Sequence, residues 1–372
     1  MLRDVSPPPE EDYQLDLNYI PEAAYRLPLP YMVFLTLLVG TGCKYIRRPA
    51  EKTAWSINLR FKGVPFRLEH GKFGIRIATS ESPSSPLVDD LVQVLYRAFP
   101  IADRVLDPDI DVQVRAGNVT VPNRQHLFRE RYEFFRDQAR QAFEAPAPRL
   151  DNLFGPSGVP DGEPRSVDLV KNEREGFFFG SAAIDAYFSW LEHLLVLILP
   201  FVAYDPTADD LVAFIGGSWT DKLKRIWKLS TDGGAKKLYD GLRDIKEQFR
   251  NSVAHGGLEK GDASLGVHIP GLDAVPARLS RFTESIHYGV FPLKDASFGE
   301  TCSLFDSVDA HLRSGSTRYG MRFAESGLDV AFDAKSREEY QKAIESDDAF
   351  DELLNRLSYF ADLHTNMDWY AT

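Results

Sequence analysis

The clearest alternation in the chain runs from Thr53 to Thr79. Trp55, Ile57, Leu59 and Phe61 occur at every second position, as a half-buried strand requires. Phe66 and Leu68, then Phe73, Ile75 and Ile77, continue the pattern as two more strands, with turns at Lys62-Gly63 and His70-Gly71. Leu87, Leu91, Val94, Leu95 and Ala98 then switch to helical spacing, so residues 1–115 read as a small α+β module. Its first 30 residues are Pro-rich and extended, with a short helix near Pro21–Tyr25. The period changes after residue 120. Helices are expected over about 124–144, 170–203, 218–230 and 234–255, which makes residues 120–260 a helical bundle. Beyond it, 261–292 is loop-rich with short strands, and 299–312 is helical. Tyr319, Met321, Phe323, Leu328, Val330 and Phe332 alternate across Ser326-Gly327 like a hairpin that could join the first meander. Two helices follow Lys335, so 261–372 reads as a C-terminal α+β extension. The fold class expected is mainly α with α+β flanks, plus a small antiparallel sheet module.

The stretch from Gly180 to Tyr204 is the most apolar helix of the bundle. Its few polar residues, Ser181, Asp185, Ser189 and Glu192 with His193, form one narrow seam. A charged group inside such a helix is costly unless it is paired. Asp185 and Glu192 therefore need a basic partner, either Arg250 or a purely structural one. His193 reads as a satisfied helix histidine. The uninterrupted apolar run, Leu194 to Ala203, is about half of the roughly 20 residues needed to span a bilayer. Pro200 should end or kink the helix.

Leu238, Leu242, Ile245, Phe249 and Val253 mark the core stripe of the next helix. At about 100° per residue these five fall within about 40° of Phe249, while Arg250 lies near 100°, Asn251 near 200° and His255 near 240°. None of the three polar residues faces the core, so all are available for chemistry. Asn251 and His255 are neighbours at i, i+4. Arg250 is on the opposite flank, so one helix presents Arg250 and His255 poorly to a single phosphate, and two copies facing each other would do so better. Gly256-Gly257 stops the helix. That puts His255 in the last turn, where the helix dipole favours the imidazolium.

The run Phe249-Arg250-Asn251-Ser252-Val253-Ala254-His255-Gly256 resembles the signature of the HEPN superfamily, in which Arg is followed after four to six residues by His, often with Asn after the Arg. The resemblance covers some 130 of the 372 residues. It implies a helical bundle and a metal-independent endoribonuclease working as a homodimer through the motif helix, with no cofactor. Arg250 and His255 would be catalytic, Asn251 their polar companion, and Glu192 or Asp185 the support from the preceding helix. Many relatives so defined act in toxin–antitoxin or antiviral defence, so an antitoxin or defence partner is also implied. The competing reading is a non-catalytic bundle that binds a nucleotide or protein partner, with a sensor or antitoxin-like subunit as a third.

Composition narrows this picture. The chain has a net charge of −12, which argues against a general nucleic-acid binder. Locally, Thr220–Lys260 holds ten Lys/Arg against six Asp/Glu, so phosphate binding could be confined there. Cys43 and Cys302 are far apart and match no metal spacing. Asp103, Asp107, Asp109 and Asp111 read as a solvated turn rather than a cation site. No phosphate-binding glycine loop or dinucleotide fingerprint occurs. The acidic, Pro-rich start lacks a secretory pattern and the apolar run 31–39 is too short to span, so a cytoplasmic protein without membrane association is expected.

Overall fold

The computed structural model describes residues 2–21, 27, 30–82, 85–146, 171–202, 204–247, 265–271, 273–280, 285–288, 293 and 295–369. The protein is mainly α-helical with a small antiparallel sheet module. It divides into two compact units, residues 1–116 with 352–372, and residues 117–351.

The first unit is built on the predicted meander. Strands Thr53–Phe61 (β4), Val64–Gly71 (β5) and Gly74–Thr79 (β6) are antiparallel, with Leu59 opposite Phe66 and Leu68 opposite Ile77. Lys62 and Gly63 both have positive φ (51° and 81°), the mirror-image turn that matches strand twist. The second turn lies at Lys72-Phe73, two residues later than the sequence suggested, because His70 pairs with Ile75 and Gly71 with Gly74. The N-terminal segment supplies two short strands, Val5–Ser6 (β1) on β4 and Asn18–Tyr19 (β2) on β6, and Tyr45–Arg47 (β3) also pairs with β4.

Helices Pro30–Thr41 (α1) and Pro86–Arg115 (α2) complete this core. Val33, Leu37, Leu91 and Leu95 are buried with Ile57, Leu59, Leu68 and Ile77. α2 starts on a Ser85 cap followed by Pro86, the favoured order at a helix N-terminus. It runs through Pro100 and Pro108, so the acidic run from Asp103 to Asp111 is helical rather than a turn. The chain's end returns to this unit. The Trp369 indole donates to the Thr53 carbonyl at 2.8 Å, Arg48 stacks 4.2 Å over its ring, and Lys52 pairs with Asp368.

The second unit is the bundle. Gln125–Glu144 (α3) and Lys171–Val202 (α4) pack along their length, Phe128 meeting His193 and Tyr132 meeting Tyr187. α4 is long and apolar enough to cross a membrane, yet 72% of its most apolar 18-residue window is buried inside the fold. Pro200 is carried within it, two residues before its end. Short helices Leu211–Gly216 (α5) and Trp219–Ile226 (α6) follow, then Gly233–Ile245 (α7). The segment after the motif forms a three-stranded meander of Leu265–Ile269 (β8), Asp273–Ser280 (β9) and Ser285–Tyr288 (β10). Asp295–Leu312 (α8) returns to the bundle.

The hairpin expected over 319–332 is not present. Arg318–Glu325 (α9) is a helix whose Tyr319, Met321, Phe323 and Ala324 are all buried. Gly320 faces α4 so closely that a Cβ there would sit 2.9 Å from Ile198 Cγ2. Only Val330–Ala331 (β11) is a strand, and it pairs with Thr120–Val121 (β7) rather than with the N-terminal meander. Ala334–Ala343 (α10) and Asp347–Asn366 (α11) close the chain. Residues 261–372 thus form no separate extension: α8 to α10 belong to the bundle's unit, and the last 21 residues belong to the first unit.

α3, α4 and α8 meet around one carboxylate. Asp309 is 3% exposed and accepts from the Tyr187 hydroxyl at 3.0 Å and from Arg129 at 2.5 Å. The Tyr187 ring lies flat on Phe305, 3.7 Å away, and the Arg129 guanidinium lies 4.9 Å over Trp190. Asp309→Ala is expected to cost about 3 kcal/mol in denaturant unfolding, the lower end for a broken buried pair, because Arg129 keeps Glu133 at 2.8 Å. Tyr187→Phe should cost about 1–2 kcal/mol, the loss of one buried hydrogen bond.

Candidate functional site

α7 leads into the motif. Asp232 caps it by accepting from the Ala235 amide at 2.9 Å, and Ala235, Tyr239, Leu242 and Ile245 form its buried stripe. Leu238 is half-buried. Gly241 lets α7 approach α8 closely, since a Cβ there would stand 2.8 Å from Leu304. The helix widens into a π turn at Lys246-Glu247. The Lys246 ammonium lies 5.6 Å from the Phe188 ring and 5.4 Å from the Trp219 ring. Arg250, Asn251 and His255 lie outside the described residues, as do Phe249, Val253 and Gly256-Gly257.

Phe188 borders the polar seam of α4. Ser181, Asp185, Ser189 and Glu192 share that face within about ±40° of one another, and all four are half-buried. The Ser189 hydroxyl donates to the Asp185 carbonyl at 2.9 Å. The Ser181 hydroxyl is buried and has no hydrogen-bond partner among the described residues. The last described turn of α7 therefore meets α4 next to the seam, one residue from Ser189 and three from Asp185.

Glu192 acts on Lys222, a structural partner of the kind the sequence left open. Lys222 sits in α6 and is 4% exposed. Burial pulls its ammonium below the ordinary lysine value of 10.5, and the Glu192 carboxylate pulls the other way. Sequence reading missed Lys222, although a signal exists. Trp219, Lys222, Leu223 and Ile226 follow i, i+3, i+4, i+7, so the lysine occupies a position on the apolar stripe.

His193 is the satisfied histidine expected. Its Nε2 accepts from the Arg124 backbone amide at 3.0 Å, at the start of α3, and its ring meets Phe128 at 5.1 Å. An Nε2 that accepts a hydrogen bond carries no proton. Burial, reinforced by Arg124 and Lys222, lowers its pKa below the usual 6.5. Among the described residues no group of three His, Cys, Asp or Glu side chains is placed to hold a metal ion.

No family model matches the chain, and no curated protein or solved structure matches it either.

The His193 geometry fixes the sign of a pH effect. With the folded pKa below the unfolded 6.5, the unfolded chain binds the proton first, so stability falls as pH drops through 6.5 toward the folded value. The His193 imidazole should titrate below 6.5 by NMR. His193→Gln, which keeps an acceptor, should lose less stability than wild type between about pH 7 and pH 5.

Proposed function

We propose that the chain is a metal-independent endoribonuclease of HEPN type that works as a homodimer through its motif helix. The observation that carries the reading is the Arg250-Asn251-(x)3-His255 spacing, off the core stripe and directly after α7. Its support is the neighbourhood of α7's last described turn. Lys246, four residues before Arg250, lies against Phe188 beside the half-buried Asp185–Glu192 seam, so the helix preceding the motif is next to carboxylates.

In this reading His255 moves a proton at the ribose 2′-hydroxyl or the leaving oxygen, work suited to an imidazole near neutral pH. Arg250 steadies the negative charge that develops on the phosphate. Asn251 orients the phosphate or braces His255. Attack by the 2′-oxygen on the adjacent phosphorus, with departure of the 5′-oxygen, leaves a 2′,3′-cyclic phosphate and a 5′-hydroxyl. Asp185 or Glu192, both half-buried on the α4 seam, has the supporting role.

The test is cleavage of single-stranded and structured RNA in EDTA. Wild type should cut and leave cyclic phosphate ends, and Arg250→Ala and His255→Ala should each lower the rate by at least about 100-fold, the scale of general acid–base or charge stabilisation. Equal activity of wild type and the double variant would sink the reading. A folded, dimeric wild type that cuts no RNA would leave the non-catalytic binding bundle as the better account.

A further inference from the structure

α3 buries Gln125, Tyr132 and Ala139. Elsewhere on this helix Leu127 is 63% exposed and Phe134 58% exposed. Isolated apolar residues on a surface need no explanation. These two are seven residues apart, two turns along one face, and Arg131 lies between them. Phe134 is braced edge-on against Phe135 at 5.3 Å, and the Arg131 guanidinium covers Phe135 at 5.9 Å.

We propose that this outer face of α3 is a two-fold contact between copies of the chain. The occupant is identified by the face being complementary to itself when read antiparallel. A two-fold axis between Glu130 and Arg131 sets Leu127 against the partner's Phe134 and Arg131 against the partner's Glu130. Each contact occurs twice by symmetry. No like charges meet along this line. Moving the register by one turn opposes Leu127 to the partner's Gln138 or Glu130, so one alignment satisfies both the apolar and the charged positions.

The use of charge along α3 supports this. Arg129 is committed to Glu133 and Asp309, Arg136 to Asp306, and Arg140 to Asp137 at 3.8 Å. Glu130 and Arg131 are exposed and close no ion pair among the described residues. They are the two charges flanking the proposed axis. The contact uses no residue of α7, so it stands whether or not the chain cleaves RNA. Combined with pairing through the motif helix, it would link dimers into a closed tetramer or an open chain.

Sedimentation of the full chain tests it. A helix-pair contact is at the small end of specific interfaces, so self-association in the range of about 1–100 µM is expected. Phe134→Glu should weaken it by at least about tenfold, since it places a charge at the centre of the contact. Glu130→Arg and Arg131→Glu should each weaken it, and the double reversal should restore it, because the two charges exchange roles across the axis. All these positions are exposed, so circular dichroism should not change. In a Leu127→Cys/Phe134→Cys variant, oxidation should give a covalent dimer. A wild-type chain still monomeric at about 100 µM would overturn the proposal. So would an assembly size that Phe134→Glu leaves unchanged, or single reversals that the double reversal fails to repair. Because Arg250→Ala/His255→Ala leaves this face intact, loss of RNA cleavage and loss of the α3 contact are read separately.

Discussion

The bundle depends on keeping Asp309 charged and satisfied away from water. Burial raises its pKa above 3.8, and Arg129 and Tyr187 oppose that rise by supplying the hydrogen bonds that water would have given. A buried pair of this kind adds little net stability over apolar packing, but it tolerates only one arrangement. Here that arrangement fixes α3, α4 and α8 to a common level, since each contributes one member. α7 is then positioned against α8 by the Gly241–Leu304 contact and by His311, which lies 3.5 Å from the Asp232 cap of α7. The approach to the motif is thus set two steps away from it.

Elements whose pattern and length agreed were legible in the sequence. The Trp55–Phe61 alternation is a strand with the predicted Lys62-Gly63 turn, and the long apolar run is α4, Lys171–Val202. Failures came where one pattern served two geometries. Tyr319, Met321 and Phe323 alternate like a strand, but α9 is buried on several sides, so its apolar positions are not confined to one stripe. Gly320 and Ala324, the small residues that admit α4, are silent in a hydrophobic alternation. The acidic stretch around Pro108 looked like a turn because Pro forfeits a helical hydrogen bond, yet α2 runs through both Pro100 and Pro108 to Arg115. The Trp369–Thr53 bond joins residues 316 apart, and no local pattern encodes it.

At the candidate site, the sequence separated roles better than partners. It identified His193 as a satisfied helix histidine, and the acceptor nitrogen of His193 is occupied by the Arg124 amide. It found the α4 seam, because polar residues at steps of four, four and three are conspicuous in an apolar helix. It did not find Lys222, whose nearness to Glu192 depends on how α6 crosses α4.

The charge pattern around the motif also means less than its count. Ten Lys/Arg against six Asp/Glu between Thr220 and Lys260 suggests a local field that could draw RNA. Arg225 is held by Asp209 at 2.8 Å, Lys236 by Asp240 at 2.8 Å and Arg243 by Glu247 at 3.8 Å, while Lys222 is buried. Paired cations project little potential beyond a Debye length of about 8–10 Å. In a chain of net −12, long-range steering is therefore weak. If this chain acts on a phosphodiester, selection must come at short range, from the few groups that touch the phosphate. On the helical spacing the sequence predicts, Arg250 and His255 would stand on two flanks of one helix and would meet that demand better in a pair of chains than in one.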